Sequence, residues 1–311
     1  REQLTSLART CSGIGDAIPT VLTMTVVPIL GAGSSMADYR IGFKWWALII
    51  AVVFVISELV CVACVPERPV ACDEKPGKIS DMFKALFKND QAMTVVVSII
   101  LVYTSLNICG NLVLYFFRFD VGNEGAYSLF AAVAFAAQVL VMMVIPLLRK
   151  RFSKSQLFIS GFIIQIAGFA VILIMAFAKL YTPQSWYILC LPGILIYLGY
   201  GMLNVIMTIF LSDSVDYGEV MNGTREESVI FSMQTFTVKL ASGVAVFLAG
   251  LVVDWIHLDT AAAVQTQDTL DALRMWMTIP SVILLIVGIF VFKRFYKLDD
   301  TRMEEIKSKL N

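Results

Sequence analysis

Lys239 stands inside a run of apolar residues where an ammonium group finds no bulk water. At the centre of a bilayer a lysine costs about 2.5–3.5 kcal/mol on the insertion scale, so it ordinarily faces a watery cavity or an opposite charge. Along the same run Ser228, Ser232, Thr235, Lys239 and Ser242 recur at steps of 4, 3, 4 and 3, which keeps them on one helical face. Val238, Leu240, Val244, Phe247 and Leu248 fill the remainder with apolar surface. A second stripe, Arg9, Ser12, Asp16, Thr20 and Thr23, has steps of 3, 4, 4 and 3, in a segment that Pro19 and Pro28 should bend. Thr104, Asn107, Asn111 and Tyr115 make a third. Each has a plainer reading. The lysine could be paired for structure alone, Arg9 could snorkel from the end of its span, and the asparagines could be interhelical glue. Glu58 has no polar neighbours in its span and receives no role.

The elements that carry these stripes follow from composition. The chain has 311 residues, 58% hydrophobic and 15% charged, with a mean hydropathy of +0.79. A soluble domain is nearer about 25% charged. The excess falls in blocks long enough to cross a hydrocarbon core of about 30 Å. A soluble enzyme and a disordered segment are thereby excluded, and 24 basic against 24 acidic residues leave no basic surface for nucleic acid. Eight spans are expected, near 10–31, 45–66, 91–116, 124–148, 156–178, 186–211, 227–253 and 273–293. The thiols mostly lie in these blocks and behave there as small hydrophobes. Cys61 and Cys64 have metal or redox spacing, but no histidine is near them.

Lysine and arginine sort the connecting segments into two sides, 18 against 5, which places both termini in the cytoplasm of a cell-membrane protein. The segment 67–90 becomes a cytoplasmic linker. Within it Ile79, Met82, Phe83, Leu86 and Phe87 form a stripe opposed by Lys84 and Lys88, with Ser80 or Asp81 as cap, so a surface helix tethering two bundles is expected.

Three polar-faced helices from different parts of the chain imply one polar cavity at membrane depth. Its hydroxyls, amides and charges, with Tyr103, Tyr197 and Tyr200 nearby, suit a polyhydroxylated solute. That alone does not separate a carrier from a channel.

A resemblance narrows it. The runs Leu211-Ser-Asp-Ser-Val-Asp-Tyr-Gly-Glu219, Thr224-Arg-Glu-Glu-Ser228 and Ser232-Met-Gln-Thr-Phe-Thr-Val-Lys239 resemble the signature of the glycoside–pentoside–hexuronide:cation symporters, whose best-known member is the melibiose permease. Arg1-Glu-Gln-Leu4 with Arg9 is similar to the start of that family's fifth helix. Asn89-Asp-Gln91, Asn107 and Tyr115-Phe-Phe117 are similar to its seventh.

The resemblance implies an all-α membrane protein of the major facilitator fold, with its eight spans matching helices 5–12 of twelve. On that match residues 1–66 are the last two helices of the N-terminal bundle, 67–90 the linker, 91–293 the complete C-terminal bundle and 294–311 a cytoplasmic tail. The initial Arg1 and the missing four helices suggest a fragment of a longer carrier.

The resemblance also assigns roles. Arg9 would contact the sugar, and Lys239 with Gln234 and Thr235 would sit between sugar and cation. Asn107 and Asn204 would line the same site, Asn204 standing where the melibiose permease has a tryptophan. Asp16 is a second departure, and both leave the sugar open. Arg1, Arg149, Asp213, Asp216, Glu219 and Arg225 would form a cytoplasmic charge network that parts as the bundles rock. The alternative is plain solvated loop charges.

No cofactor or metal site is implied. The coupling cation, Na+ or H+, would find its main ligands on the missing helices. The expected partners are a sugar or glycoside, that cation and membrane lipid, and the expected mechanism is cation-coupled symport by alternating access. A carrier of lysolipids or other amphiphiles on the same fold is the alternative. An intramembrane enzyme lacks the necessary cluster, since the only histidine, His257, lies near a span's end. A receptor or structural subunit lacks long outer segments.

Overall fold

The computed structural model describes residues 2–33, 36–64, 87–223, 227–260, 262 and 264–310. These are helical, with no strand among them: α1 (Glu2–Gly31), α2 (Met36–Cys64), α3 (Asp90–Tyr115), α4 (Ala126–Leu148), α5 (Lys154–Phe177), α6 (Cys190–Asn222), α7 (Glu227–Trp255), α8 (Gln267–Phe295) and α9 (Asp300–Leu310). Seven of the helical segments are long and apolar enough to cross a membrane. The two limbs of α1, bent by 51° between Thr23 and Thr25, make an eighth if counted together. The bend falls one turn before Pro28, whose ring nitrogen cannot donate to the carbonyl four residues earlier. Most of the expected linker, 67–90, and its surface helix lie outside the described residues, as do Arg1 and Arg225.

The chain divides into two compact units, Arg1–Gly13 with Lys78–Asn311, and Ile14–Gly77. In the smaller unit the end of α1 and the start of α2 approach closely, because a Cβ on Gly42 would collide with the Val27 carbonyl. Trp46 donates its indole N–H to Thr23 Oγ at 2.8 Å. From Ala47 to Cys64 every side chain of α2 is exposed and nearly all are apolar, a surface suited to lipid or to other helices.

In the larger unit α3 and α6 are central. The most apolar stretches of these two are 61% and 72% buried, against 28–44% for α4, α5, α7 and α8. Helix α3 packs on α6, α7 and α8, while α6 also packs on α4 and α5. Caps set the starts. Asn89 accepts from Ala92 N at 2.9 Å, Ser153 and Gln156 form a capping box, and Thr266 accepts from Thr269 N at 3.2 Å. Gly223, with φ +72°, ends α6 in the left-handed conformation that glycine adopts without strain.

Glycines bring α5 and α6 together. A Cβ on Gly199 would lie 2.6 Å from the Gly161 carbonyl oxygen and 2.7 Å from Gln165 N, so the backbones themselves are in contact. Small residues at such a crossing are how helices associate where hydrophobic driving force is absent.

At one end of this unit a buried ion cluster ties three elements. Asp120 closes a π-helical turn (Phe116–Asp120) after α3, and Arg274 reaches it from α8 with Nε at 2.9 Å. Both side chains are 3% exposed. Arg274 also binds Asp271 at 2.7 Å, and Tyr181, from the α5–α6 connection, donates to Asp120 at 2.5 Å. Burial, then the Asp120 charge, pushes the Tyr181 phenol well up, so it stays a donor.

The tail extends the expected architecture. Residues 300–310 form α9, and Leu298, Met303 and Ile306 bury against Tyr217, Val220 and Tyr296.

Gly199→Ala should destabilise the protein by about 1–3 kcal/mol, because backbone rather than a flexible side chain blocks the new methyl. The check is thermal unfolding in detergent, with Gly243→Ala, where nothing lies within 4 Å, as the control that should change little.

Candidate functional site

Besides the Arg274 cluster, the polar side chains of the larger unit gather in two places. The first lies at span depth among α1, α3 and α6. Arg9 donates from Nε to Thr208 Oγ at 3.0 Å, and the Thr208 hydroxyl donates to the Asn204 carbonyl at 3.1 Å. Asn204 donates from Nδ2 to the Tyr103 hydroxyl at 2.7 Å and to the Tyr200 hydroxyl at 3.3 Å. The two tyrosine rings meet edge to face with centroids 5.5 Å apart. Asn107 sits one turn along α3, its amide donating to the Tyr103 carbonyl at 2.7 Å, and Asn111 repeats that bond to Asn107.

Helix geometry explains the gathering. Tyr200, Asn204, Thr208 and Ser212 recur every four residues and so share a face of α6. Asn204 and Thr208 are 7% and 8% exposed, whereas Arg9 is half-buried. Thus Arg9 and Asn204, named from the sequence, belong to one chain of hydrogen bonds, with Asn107 beside it. Thr208 was overlooked, though its spacing from Asn204 was in plain view.

Helix α7 behaves differently. Its buried face is Ile230, Met233, Gln234, Thr237, Ala241, Ala245 and Ala249, so Gln234 turns inward. Thr235 and Lys239 are exposed on other faces. Thr235 closes a bond to the Phe231 carbonyl at 3.3 Å. Lys239 makes no hydrogen bond or ion pair among the described residues. The structure does not bring Thr235 or Lys239 into bonding contact with Arg9, Asn107 or Asn204.

The second gathering is at the opposite end from the Arg274 cluster. Here α6 runs eleven residues past the expected end of its span at 211, taking Asp213, Asp216 and Glu219 onto the helix. Asp213 and Asp216 are 5% and 2% exposed, which corrects the solvated-loop alternative for these two. The cause is packing: Asn89 donates to the Ser214 carbonyl at 2.7 Å, and Gly218 lets that side chain approach. Glu219 is half-buried.

Lys154, itself 5% exposed, ion-pairs with Asp213 and reaches Asp300 of α9 at 3.4 Å. Arg149 meets Asp300 at 3.4 Å. Sequence reasoning had looked to Arg149 and passed over both Lys154 and Asp300. The signal for Lys154 was its place right after the Ser153 cap. Asp300 carried none, because nothing announced that the tail would fold back. Tyr296 lies among these charges, and burial with Asp213 and Asp300 nearby pushes its phenol well up.

Among the described residues no cluster of histidine, cysteine or carboxylate could hold a metal ion.

Lys154→Met should lower stability by about 3–5 kcal/mol, since it removes the buried cation that ion-pairs with the buried Asp213 carboxylate. Asp300, 38% exposed, should tolerate Asn with a loss below about 1 kcal/mol. Unfolding midpoints of the two variants separate these outcomes, and Lys154→Met/Asp213→Leu should recover much of the first loss.

Comparison with known proteins gives this arrangement its context. A family described as MFS/sugar transport protein matches residues 1–300. The chain is 24% identical over 317 residues to a raffinose carrier protein of Pediococcus pentosaceus, covering 100% of this chain and 48% of that protein. It is 24% identical over 302 residues to an isoprimeverose transporter of Lactiplantibacillus pentosus, covering 96% and 60%. A lactose permease of Lactobacillus delbrueckii subsp. bulgaricus is 24% identical over 318 residues, with 100% and 49% covered. The chain therefore spans about half to three-fifths of the length of these relatives. All-helical, multi-pass in its apolar segments and matched nearly end to end, the chain belongs to the MFS/sugar transport protein family, with the major facilitator fold the sequence led one to expect.

Proposed function

We propose that the chain is part of a secondary carrier that moves a sugar or glycoside across the cell membrane together with Na+ or H+. The observation that carries the reading is the hydrogen-bonded chain from Arg9 through Thr208 and Asn204 to Tyr103 and Tyr200. It sets a guanidinium, an amide and two phenols along one face of α6, in a family of sugar transport proteins. Hydroxyl-rich solutes are held by such donors and acceptors, with an aromatic edge or face against the sugar ring. A transporter also places its site where helices of two repeats meet near the midplane.

In this reading the eight spans stand for helices five to twelve of twelve, and both termini face the cytoplasm. The exposed polar stripe of α7, with Lys239, faces the substrate path. Lys239 interacts with substrate or with the cation's carboxylates on helices supplied by the rest of the carrier. The cycle is a population shift: sugar and cation together bind the occluded state better than either open state. The Lys154–Asp213–Asp300–Arg149 group stiffens the cytoplasmic end of one bundle, so that it moves as a body.

The test is uptake of labelled α- and β-glycosides by cells expressing the complete reading frame. Uptake should require an inward Na+ or H+ gradient. Lys239→Ala and Arg9→Ala should each reduce it at least tenfold, with membrane levels of the protein unchanged. Equal uptake after the cation gradient is collapsed would overturn the coupling. Movement of a lysolipid, with no sugar transported, would overturn the substrate class.

A further inference from the structure

We infer that the cavity between the α4–α5 turn and α9 is a binding site for the phosphate headgroup of an anionic phospholipid. The cavity measures ≈ 420 Å³ and is walled by Arg149, Lys150, Arg151 and Lys154 on one side and by Asp300 and Glu304 on the other. These charges are not equivalent. Arg149 and Lys154 are committed to Asp300, and Lys154 also to Asp213. Lys150 and Arg151 are exposed and make no ion pair among the described residues. Two uncommitted cations therefore border a polar pocket, beside a helix start that also favours an anion.

The lipid source, rather than a soluble phosphate, follows from what leads up to the pocket. On α4 the side chains of Leu140, Met143, Val144 and Leu147 are 62%, 60%, 41% and 61% exposed. Their spacing puts them on one outward face of a membrane-spanning helix, and that face runs into Lys150 and Arg151. Phe152, 47% exposed, stands at the cavity rim. An apolar track ending in paired cations matches a phospholipid along its length: acyl chain on the track, phosphate on the cations. Basic residues at a span's end attract anionic lipids by about 1 kcal/mol each. Only the choice of leaflet, the cytoplasmic one, rests on the orientation proposed above.

The experiment uses the detergent-purified protein expressed from its complete reading frame, titrated with phosphatidylglycerol or phosphatidylcholine and read by native mass spectrometry. The wild type should bind phosphatidylglycerol more tightly than phosphatidylcholine. In Lys150→Gln/Arg151→Gln that preference should fall by about 30-fold, the factor two such charges supply. Lys293→Gln/Arg294→Gln, a basic pair outside the cavity, should keep it. Leu147→Asn, which alters the track and leaves the cations, should weaken phosphatidylglycerol binding without changing competition by inorganic phosphate.

Equal loss in both charge variants would show a diffuse surface effect and overturn the site. Displacement of the lipid by millimolar inorganic phosphate, with Leu147→Asn silent, would assign the cavity to a soluble anion and overturn the lipid. The readout is lipid occupancy, so it stands or falls independently of whether a sugar is transported.

Discussion

A polar group at membrane depth must find its partner within the protein, because hydrocarbon offers none. Leaving it unmet costs several kcal/mol. Much of the larger unit can be understood as a set of answers to that demand. The hydroxyls of Thr94, Ser98, Ser214 and Thr278 bond to carbonyls one turn back on their own helices. Ser105 and Ser281 exchange bonds between α3 and α8. Asn204 takes two tyrosine hydroxyls, and Arg9 takes Thr208. The charged residues are met the same way at the two ends: Arg274 by Asp120 and Asp271, Lys154 by Asp213 and Asp300. The bundle is thus pinned by ion pairs at its ends and threaded by hydrogen bonds between them.

This distribution has a mechanical meaning. Buried ion pairs seldom add much net stability, because desolvation offsets attraction, but removing one partner is costly. They therefore fix geometry more than they strengthen it. The Arg274 cluster joins the end of α3, the start of α8 and the α5–α6 connection. The Lys154 cluster joins the start of α5, the end of α6 and α9. With both ends tied, and α5 and α6 in backbone contact at Gly161 and Gly199, the helices that carry Asn107 and Asn204 are held in fixed relation. In the proposed carrier, such rigidity would let these helices move as one body.

The spans, their order and their stripes were legible because lipid imposes a strong code: about twenty apolar residues per crossing, with polar residues spaced by the helical period. The bend in α1 was legible from its prolines, and the family from the motifs around Asp213 and Lys239. What stayed hidden was set by tertiary packing. The extension of α6 beyond residue 211 could not be read from hydropathy, because charges there look like loop. They are helical because Lys154, Asn89 and α9 come from elsewhere in the chain to meet them. The Arg274–Asp120 pair is separated by 154 residues and has no local pattern at all. Gln234 and Thr235, grouped by the resemblance, adjoin on α7, and the helical turn of about 100° per residue sends one inward and the other outward.

The two lysines inside the polar patterning make the sharpest contrast. Lys154 is 5% exposed and paired, at a helix start where its burial is compensated once and for all. Lys239 lies mid-helix, exposed, and without an ion pair among the described residues. A lysine cannot stay charged against lipid without cost, so its face of α7 calls for water, substrate or an opposing charge. Ser232 and Thr235 are exposed with it, and the alanines at 241, 245 and 249 are not. The helix thus turns Ile230, Met233, Gln234, Thr237 and its alanines to its own bundle and leaves Ser232, Thr235 and Lys239 for whatever comes opposite. A residue compensated within its own bundle can only hold that bundle's shape. One whose compensation must come from outside its bundle answers to what lies opposite, and on that ground Lys239 is proposed as a site residue and Lys154 is not.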